Sequence, residues 1–294
     1  MLARALRHPK HIIKEQLAVV GSFLGTASTP RDAYFAVSEL VRRAGEDAVS
    51  ATDPLLTPFE LRAFSQNGED GVIAEMIRRS GTSGRFFVEF GAGAGRENNC
   101  AALAEILGWS GLYIEADPTL YNQLEEKFRG YPAVRTRKAF VTPSNIEDLL
   151  SAGSVPLDLD LLSIDVDGPD LWIWEAINLW RPRFVVIEYN SSLDPRRPLV
   201  QPRDHCGWDH TSYFGASIAA LRAVGSRKGY RLVHTEMTGN NAFFVRSDLP
   251  GTYPDEEQVV IRSPNHFLVG RRHLDDPLHR SYIEYEPAGG TLEL

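Results

Sequence analysis

A glycine-rich turn follows an apolar segment in the first half of the chain. The segment Val88-Glu-Phe-Gly-Ala-Gly-Ala-Gly95 places alternating glycines directly after a predicted strand. Glycine lets the backbone turn sharply and lets a ligand approach the backbone with no side chain in the way. The spacing therefore predicts a ligand-binding turn, although nicotinamide and flavin enzymes use similar turns and some glycine-rich turns are only structural.

Acidic residues around this turn narrow the choice of ligand. Glu89 precedes the glycine turn and Glu97 follows it. A helix N-terminus that binds a pyrophosphate should be clear of carboxylates, so this pair favours a ligand that carries an ammonium and a sulfonium. Glu115, with Asp117 just beyond it, ends the next predicted strand, where an acid can accept hydrogen bonds from ribose hydroxyls. The alternative for Glu115 is a solvated strand end.

Oxygen-bearing side chains also follow two later predicted strands. Asp165 and Asp167 come after one strand, and Glu188 and Asn190 come after the next. The carboxyl ends of neighbouring parallel strands meet at one edge of a sheet, so we expect these side chains to lie together. Hard oxygen ligands with no histidine or cysteine among them predict Mg²⁺ or Ca²⁺ rather than zinc. The alternative is that both aspartates cap the helix that begins near Pro169.

The loop after the second of these strands holds candidate proton acceptors. It contains His205, Asp209 and His210, together with the aromatic residues Trp208 and Tyr213, which could stack on a ring of a ligand. Chemistry at a hydroxyl needs a base within hydrogen-bond reach, and His210 paired with Asp209, or His205 alone, is the predicted base. Each histidine taken singly has a structural role as its simpler explanation.

A basic pair lies in the same loop, upstream of these histidines. Arg196 and Arg197 stand beside Asp194 and could attract an anionic substrate. A solvated charged face is the simpler explanation of the same residues.

The elements that must position these residues alternate between strands and helices, which is typical of βαβ units around a parallel sheet. The predicted strands cover residues 86–90, 111–115, 134–140, 159–164, 183–188, 230–235 and 242–245. The predicted helices cover residues 97–107, 118–128, 170–179 and 213–228. This order predicts an α/β fold with a mostly parallel, seven-stranded sheet flanked by helices.

The chain divides into three predicted parts. The sheet-forming domain covers residues 61–250, between an N-terminal helical arm at 1–60 and a C-terminal extension at 251–294. We expect the arm to pack on the main domain or on a second subunit, which would make a homo-oligomer. Within the extension, 259–261 and 267–269 are candidate short strands.

Composition excludes several function classes. The 294 residues are 43% hydrophobic and 24% charged, with a formal net charge of −8, as in ordinary soluble globular proteins and unlike a nucleic-acid binder. Cys100 and Cys206 are too few for a disulfide framework and form no Cys-x-x-Cys pair, which favours a reducing cytoplasm. The apolar run at 17–24 is too short to predict stable membrane insertion.

Five motifs, taken in order, resemble one enzyme family over about residues 64–246. They are Ser65-Gln-Asn-Gly-Glu-Asp70, Val88-Glu-Phe-Gly-Ala-Gly-Ala-Gly95, Tyr113-Ile-Glu-Ala-Asp-Pro118, Leu162-Ser-Ile-Asp-Val-Asp-Gly168 and Val186-Ile-Glu-Tyr-Asn190. The sequence resembles the FkbM-type branch of the class I S-adenosylmethionine-dependent methyltransferases. The resemblance implies a Rossmann-like, seven-stranded methyltransferase fold, S-adenosylmethionine as methyl donor, and a hydroxyl of a sugar, polysaccharide or natural product as acceptor.

The resemblance also implies roles for individual residues. The implied cofactor-binding residues are Gln66, Glu89, Gly91, Gly93, Glu115, Ala139, Phe140 and Asp165. Glu115 would bind the ribose, Ala139 and Phe140 would line the adenine edge, and the segment 66–70 would lie over the cofactor entrance. For that segment, a helix cap that uses Ser65 or Asn67 is the alternative.

The oxygen cluster and the loop complete the implied site. Asp165, Asp167, Glu188 and Asn190 are similar to the metal site of catechol O-methyltransferase-like enzymes, where the ion binds the acceptor hydroxyl and lowers its pKa. The candidate catalytic residues are Asp165, His205, Asp209 and His210.

Two other functions stay open on sequence alone. One is an NAD-dependent oxidoreductase, which the acid-flanked turn and the lack of an obvious Tyr-x-x-x-Lys pair disfavour. The other is a catalytically silent, methyltransferase-like scaffold, against which the acids at positions 115 and 165 argue.

Overall fold

A computed structural model describes residues 53–204, 208–266 and 273–286. The predicted N-terminal arm at 1–60 lies outside these residues except for its last part, which contains a short 3₁₀ turn at Thr57–Phe59. The predictions for His205 and Cys206, and for a strand at 267–269, also fall outside the described residues.

Nine strands lie within the described residues. They are β1 (Phe86–Phe90), β2 (Ser110–Glu115), β3 (Val134–Lys138), β4 (Leu161–Ile164), β5 (Phe184–Glu188), β6 (Leu199–Val200), β7 (Tyr230–Thr235), β8 (Asn241–Arg246) and β9 (Ile283–Glu284). Seven of them form one sheet in the order β3-β2-β1-β4-β5-β8-β7. The first five are parallel, and β8 runs antiparallel to both β5 and β7.

This strand order confirms the predicted class I methyltransferase, Rossmann-like fold. The chain winds outward from β1 through β2 to β3, then returns to the other side of β1 with β4. Ligands of open α/β sheets bind at such a reversal, outside the carboxyl ends of the strands. The glycine turn leaves β1 at that point.

Six helices flank the sheet within the described residues. They are α1 (Glu69–Ser80), α2 (Ala101–Glu105), α3 (Pro118–Phe128), α4 (Ile146–Ala152), α5 (Asp170–Ala176) and α6 (Ile218–Arg227). The helix at 118–128 is confirmed, with Asp117 as its N-cap and Pro118 in its first turn. None of the helices in the described ranges is long and apolar enough to cross a membrane.

Several predicted helix boundaries are wrong. The helix predicted from residue 97 begins only at Ala101, because residues before it form a turn held by Glu89. The helix predicted from residue 213 begins at Ile218, where the Ser217 side chain accepts a hydrogen bond from the Ala220 N–H. The helices α1 and α4 were not predicted.

The sheet is buried on both faces. All five residues of β1 are buried, as expected for a central strand of a parallel sheet. Val88 and Phe90 pack on one face with Trp174, while Phe87 and Tyr113 pack on the other. The even and odd residues of the strand therefore enter two separate cores.

The C-terminal extension packs on this domain. Its strand β9 pairs antiparallel with β6 in a two-stranded sheet. Tyr253, Val259 and Tyr285 are buried and join the cores. The candidate strand at 259–261 is not formed, although its first residue is buried.

Candidate active site

The glycine turn after β1 has a backbone that favours glycine. Gly91, Gly93 and Gly95 have φ values of +67°, +52° and +77°. A Cβ added to Gly91 would lie 1.6 Å from the carbonyl oxygen of Asp165, whereas a Cβ on Gly93 would meet nothing within 4 Å. Gly91 therefore permits close packing against the end of β4, and Gly93 borders open space.

Glu115, at the end of β2, holds this turn in place. One carboxylate oxygen accepts a hydrogen bond from the Gly93 N–H at 2.6 Å, and the other accepts one from the Asp117 N–H at 2.7 Å. A carboxylate offers about four lone-pair positions. Glu115 can thus support the turn and still accept hydrogen bonds from a ligand.

Glu89 supports the chain that leads into α2. Its two oxygens accept hydrogen bonds from the backbone N–H groups of Asn99 and Cys100, both at 2.9 Å. Burial raises the pKa of Glu89 to about 7, against the opposing effect of these N–H groups. Glu89 therefore shapes the site as well as bordering it.

A cavity of about 350 Å³, here called the donor cavity, lies over the glycine turn. It is lined by Gln66, Glu89, Gly91, Ala92, Gly93, Ala94, Arg96, Glu97, Asn98, Asn99, Asp165 and Asn241. Most of the predicted cofactor residues meet here. Glu115 and Ala139 lie beside it, where the Ala139 N–H donates to the Glu115 carbonyl at 3.0 Å. Phe140 is 57% exposed.

The segment that carries Gln66 is folded around two acids. One oxygen of Asp70 accepts hydrogen bonds from the N–H groups of residues 63–65, at 2.7–2.9 Å. Glu69 accepts hydrogen bonds from the Asn67 N–H at 2.7 Å and the Asn241 amide at 2.8 Å. Ser65 also accepts a hydrogen bond from the Asp70 N–H, so the segment begins a helix and borders the donor cavity at once.

Three acids gather at the ends of β4 and β5. Asp165, Asp167 and Glu188 each offer a carboxylate oxygen, and these oxygens lie within 4.8 Å of one another. Burial raises the pKa of Asp165 well above its usual range, and Asp167 adds to the effect. Burial also raises the pKa of Glu188, with Asp165 as the next cause. One Glu188 oxygen is buried and has no hydrogen-bond partner among the residues that the structure describes, so this acidic cluster fits a hard cation.

Asp170 supports the loop before α5, whose N-cap is Pro169 rather than Asp165 or Asp167. Its two oxygens accept hydrogen bonds from the N–H groups of Val166 and Gly168, both at 2.8 Å. Burial raises the pKa of Asp170 to about 6. The sequence signal was an aspartate two residues after Gly168, at the start of α5. Because Asp170 holds this loop, the carboxylates of Asp165 and Asp167 can lie beside that of Glu188 in the acidic cluster.

Asn190, the fourth predicted ligand, makes other contacts. Its amide NH₂ donates to the carbonyls of Ser212 and Phe214 at 3.0 and 2.9 Å, and contacts the Tyr282 hydroxyl at 3.1 Å. Its amide oxygen accepts a hydrogen bond from the Ser192 N–H at 3.1 Å. The amide that was predicted to bind an ion is therefore hydrogen-bonded to the segment 212–214 and to the chain just after β5.

A second cavity of about 330 Å³ lies beyond β5, and it is called the acceptor cavity after the methyl acceptor that the sequence resemblance implies. It is lined by Tyr189, Asn190, Ser191, Ser192, Ser212, Phe214, Thr238, Gly239, Asn240, Pro264, Asn265, His266, His273 and Asp275. Tyr189 directly follows Glu188, and Asn240 precedes Asn241 of the donor cavity. The acidic cluster therefore shares Asp165 with the donor cavity, and its Glu188 is next in the chain to a residue that lines the acceptor cavity.

Aromatic rings form part of the acceptor cavity and its surroundings. The Phe214 and His273 rings stack with centroids 5.2 Å apart and an interplanar angle of 22°. Trp208 contacts His273 at 5.2 Å and His210 at 4.6 Å. His273 had no predicted role, because only the fold brings it beside the 208–214 loop.

The predicted Asp209 and His210 pair is arranged differently. Asp209 accepts hydrogen bonds from the Thr211 hydroxyl and from Arg280, both at 2.6 Å. The Thr211 hydroxyl, followed by Arg280, holds the pKa of Asp209 below its usual range. Asp209 therefore ties the loop to the C-terminal segment through Arg280, a residue that the sequence gave no reason to select. His205 lies outside the described residues.

The β7–β8 hairpin is organised by a buried acid. Glu236 accepts hydrogen bonds from the N–H groups of Asn240 and Asn241 at 2.6 and 3.0 Å, and from the Thr238 hydroxyl at 2.7 Å. Burial, with Glu69 as the next cause, raises the pKa of Glu236 to about 8. The hairpin thus supplies Asn240 to the acceptor cavity and Asn241 to the donor cavity.

No protein-family model matches the chain, and no curated protein matches it by sequence. Among solved structures, the N-terminal domain of EvdMO1, crystallised in the presence of SAH and D-fucose, is 14% identical with a TM-score of 0.39; the match covers 74% of this chain and 97% of that one. A putative caffeoyl-CoA O-methyltransferase from Staphylococcus aureus is 12% identical with a TM-score of 0.42, covering 79% of this chain and 99% of that one. An O-methyltransferase family protein from Burkholderia thailandensis is 14% identical with a TM-score of 0.39, covering 87% and 70%. The strand order of the sheet, rather than these distant similarities, gives this chain the class I methyltransferase fold.

Proposed function

We propose that the chain is an S-adenosylmethionine-dependent O-methyltransferase of the FkbM type, acting on a hydroxyl of a sugar, polysaccharide or natural product. One observation carries the proposal: Asp165 lines the donor cavity and belongs to the acidic cluster, and Glu188 of that cluster is followed in the chain by Tyr189 of the acceptor cavity, at the carboxyl ends of β4 and β5. Methyl transfer needs a donor and an acceptor held in line, and this arrangement can hold both.

The donor cavity fits a small cationic ligand. Glu89 and Glu97 border it, and Gly93 leaves its floor free of side chains. Glu115 lies under the same turn with lone pairs available for ribose hydroxyls. When bound there, S-adenosylmethionine supplies a methyl group on a positively charged sulfur, and the carboxylates around the cavity favour that charge.

The acceptor cavity fits a polyhydroxylated ring. Ser191, Ser192, Asn240 and Asn265 offer hydroxyl and amide groups. Phe214, with His273 stacked on it, offers a ring face. Hydrogen-bonding groups beside an aromatic face suit the two kinds of surface that a sugar presents.

The proton of the acceptor hydroxyl needs a base. Asp165 borders the donor cavity and belongs to the acidic cluster, so its carboxylate is our first candidate to accept the proton of the acceptor hydroxyl. His210, in contact with Trp208, is the second candidate.

The acidic cluster also fits Mg²⁺. Its three carboxylates are of the ligand type that Mg²⁺ prefers, and the buried Glu188 oxygen lacks a partner among the described residues. Asp165, Asp167 and Glu188 would hold the ion, which when bound lowers the pKa of a hydroxyl beside it.

Isothermal titration calorimetry with S-adenosylmethionine and S-adenosylhomocysteine tests this proposal, each with Mg²⁺ and with EDTA, and with NAD as a control. Saturable binding of a sulfur ligand without NAD binding supports a methyltransferase and justifies an acceptor screen. A folded protein that binds neither sulfur ligand contradicts the proposal and favours the silent scaffold. Binding of NAD alone favours an oxidoreductase.

A further inference from the structure

A third cavity, of about 510 Å³, adjoins the acceptor cavity. The residues that line both are Tyr189, Asn190, Ser191, Ser192 and Pro264. These shared residues place the two cavities side by side along the chain that follows β5. A ligand of the acceptor cavity that carries a further group thus has the third cavity as its neighbour.

Arg262 lines the third cavity and is held there by its backbone. Its carbonyl accepts a hydrogen bond from the Tyr189 hydroxyl at 2.9 Å, and its N–H donates to the Thr235 hydroxyl at 3.2 Å. The guanidinium Nε is buried and has no hydrogen-bond partner among the described residues. A buried cationic donor without a partner is costly, and an anion beside the guanidinium offsets that cost through its charge.

Among the charged residues that line the third cavity, Arg262 carries the positive charge that none of the others balances. Asp194 and Arg196 form two hydrogen bonds of 3.0 Å and neutralise each other. Asp275 borders the acceptor cavity but not the third cavity. The third cavity is therefore net positive in a chain whose overall formal charge is −8.

We propose that the third cavity binds an anionic group, a phosphate or a carboxylate, carried by the acceptor away from its methylated hydroxyl. This inference rests on the proposed function for its assignment to the acceptor. The planar guanidinium of Arg262 can donate to either oxyanion with charge-assisted hydrogen bonds. The acceptor class is thus a sugar phosphate or a uronic acid rather than a neutral sugar.

Saturation-transfer NMR titrations of the full chain, with S-adenosylhomocysteine present, compare three probes. They are methyl glucoside, glucose 1-phosphate and glucuronate. We expect at least one charged sugar to bind about tenfold or more tightly than methyl glucoside at low salt. A preference for glucose 1-phosphate identifies a phosphate, and a preference for glucuronate identifies a carboxylate.

Variants at position 262 test whether Arg262 causes the preference for a charged sugar. Arg262→Gln should remove it, and Arg262→Lys, which keeps the charge but not the planar donors, should retain part of it. Arg129→Gln removes one exposed positive charge just after the end of α3 and serves as the matched control. The preference should survive in that control. Thermal melts show that each variant is folded.

Two outcomes would overturn the inference: equal binding of charged and neutral sugars by the unaltered chain, or a preference that persists in Arg262→Gln. Binding of S-adenosylhomocysteine is measured on the same samples. If it binds and no charge preference is found, this inference fails alone. If a charge preference depends on Arg262 while S-adenosylhomocysteine does not bind, the anion site stands and the proposed methyltransferase function fails.

Discussion

Gly91 and Asp165 are in such close contact that a Cβ on Gly91 would lie 1.6 Å from the Asp165 carbonyl oxygen. The turn that leaves β1 is therefore packed directly on the turn that leaves β4. This contact fixes the position of the donor cavity relative to the acidic cluster. Gly93 lies two residues further along the chain, and a Cβ added there would meet no other atom nearby.

Alanine at these two glycines should separate folding from ligand binding. Gly91→Ala forces the backbone apart and should lower the free energy of unfolding by about 3 kcal/mol or more. Gly93→Ala has only the cost of its positive φ, about 1 kcal/mol, but places a methyl group at the donor cavity. We expect it to fold and to bind S-adenosylhomocysteine at least about tenfold more weakly.

Urea unfolding and calorimetry measure the two effects. Gly130→Ala, at a glycine with open space outside both cavities, is the control. Equal S-adenosylhomocysteine affinity in Gly93→Ala and the unaltered chain would show that the ligand does not approach this turn.

Glu188→Gln should change how the protein responds to Mg²⁺. In EDTA the substitution relieves repulsion within the acidic cluster, so we expect a melting temperature equal to or above that of the unaltered chain. In Mg²⁺ the unaltered chain should gain stability by ligand linkage, and the variant should gain little.

Differential scanning calorimetry with and without Mg²⁺ checks this, with Asp194→Asn as the control for an acid outside the acidic cluster. An identical Mg²⁺ response in Glu188→Gln and the unaltered chain would rule out this cluster as the ion site.

Asn190→Ala should loosen the acceptor cavity without affecting the donor cavity. The substitution removes hydrogen bonds to Ser212, Phe214 and Tyr282. At about 1 kcal/mol each, their loss should lower the free energy of unfolding by about 2–3 kcal/mol. Chemical denaturation measures this loss, and calorimetry should show unchanged S-adenosylhomocysteine affinity. A large drop in that affinity would mean that the two cavities are not independent.

Glu89 should make stability fall as the pH rises. Its pKa is about 7 in the folded chain against an ordinary value of 4.5. The folded state therefore holds a proton that the unfolded state has lost. The stabilisation is complete below pH 4.5 and is lost as the pH rises through 7, by roughly 1 kcal/mol per pH unit. Glu236, whose pKa is raised to about 8, acts in the same direction.

Urea unfolding from pH 5 to pH 8 measures the slope. Glu89→Gln resembles the protonated acid and should give a shallower slope than the unaltered chain. Parallel slopes in the two proteins would contradict the assignment to Glu89.

Substitutions in the 208–214 loop should separate a base from a structural acid. If His210 takes the hydroxyl proton, His210→Ala should lower kcat by about 100-fold or more and change the pH–rate profile. Asp209→Asn should leave the shape of that profile unchanged, because Asp209 binds Thr211 and Arg280. Rates measured across pH decide this, and an unaltered profile in His210→Ala rules out His210 and leaves Asp165 and His205 as the candidate bases.

The sheet could be predicted because each of its strands has a recognisable pattern in its own short stretch of sequence. The β1 and β5 segments are apolar runs with an acid near or at the end, and the strands predicted there match the structure to within one residue. The helix α3 has its N-cap and proline in the sequence, so its start was predictable too. By contrast, α2 is shortened by Glu89, a contact across ten residues that no local pattern records.

The site could be predicted only where the sheet alone positions it. Asp165 and Glu188 follow adjacent strands, so topology brings them together. Asn190 also follows β5, but its amide is taken up by the segment 212–214 and by Tyr282. Those partners are 22 residues or more away in the chain, and nothing in their spacing indicates the contact.

The two cavities differ in when their residues are synthesised. All seven strands of the central sheet and every residue lining the donor cavity precede residue 247. The acceptor cavity also requires later residues, namely Pro264, Asn265, His266, His273 and Asp275. A ribosome thus delivers the complete lining of the donor cavity before the acceptor cavity can exist. Sequence change in the last part of the chain can therefore alter which acceptor is held while leaving the residues around the glycine turn untouched.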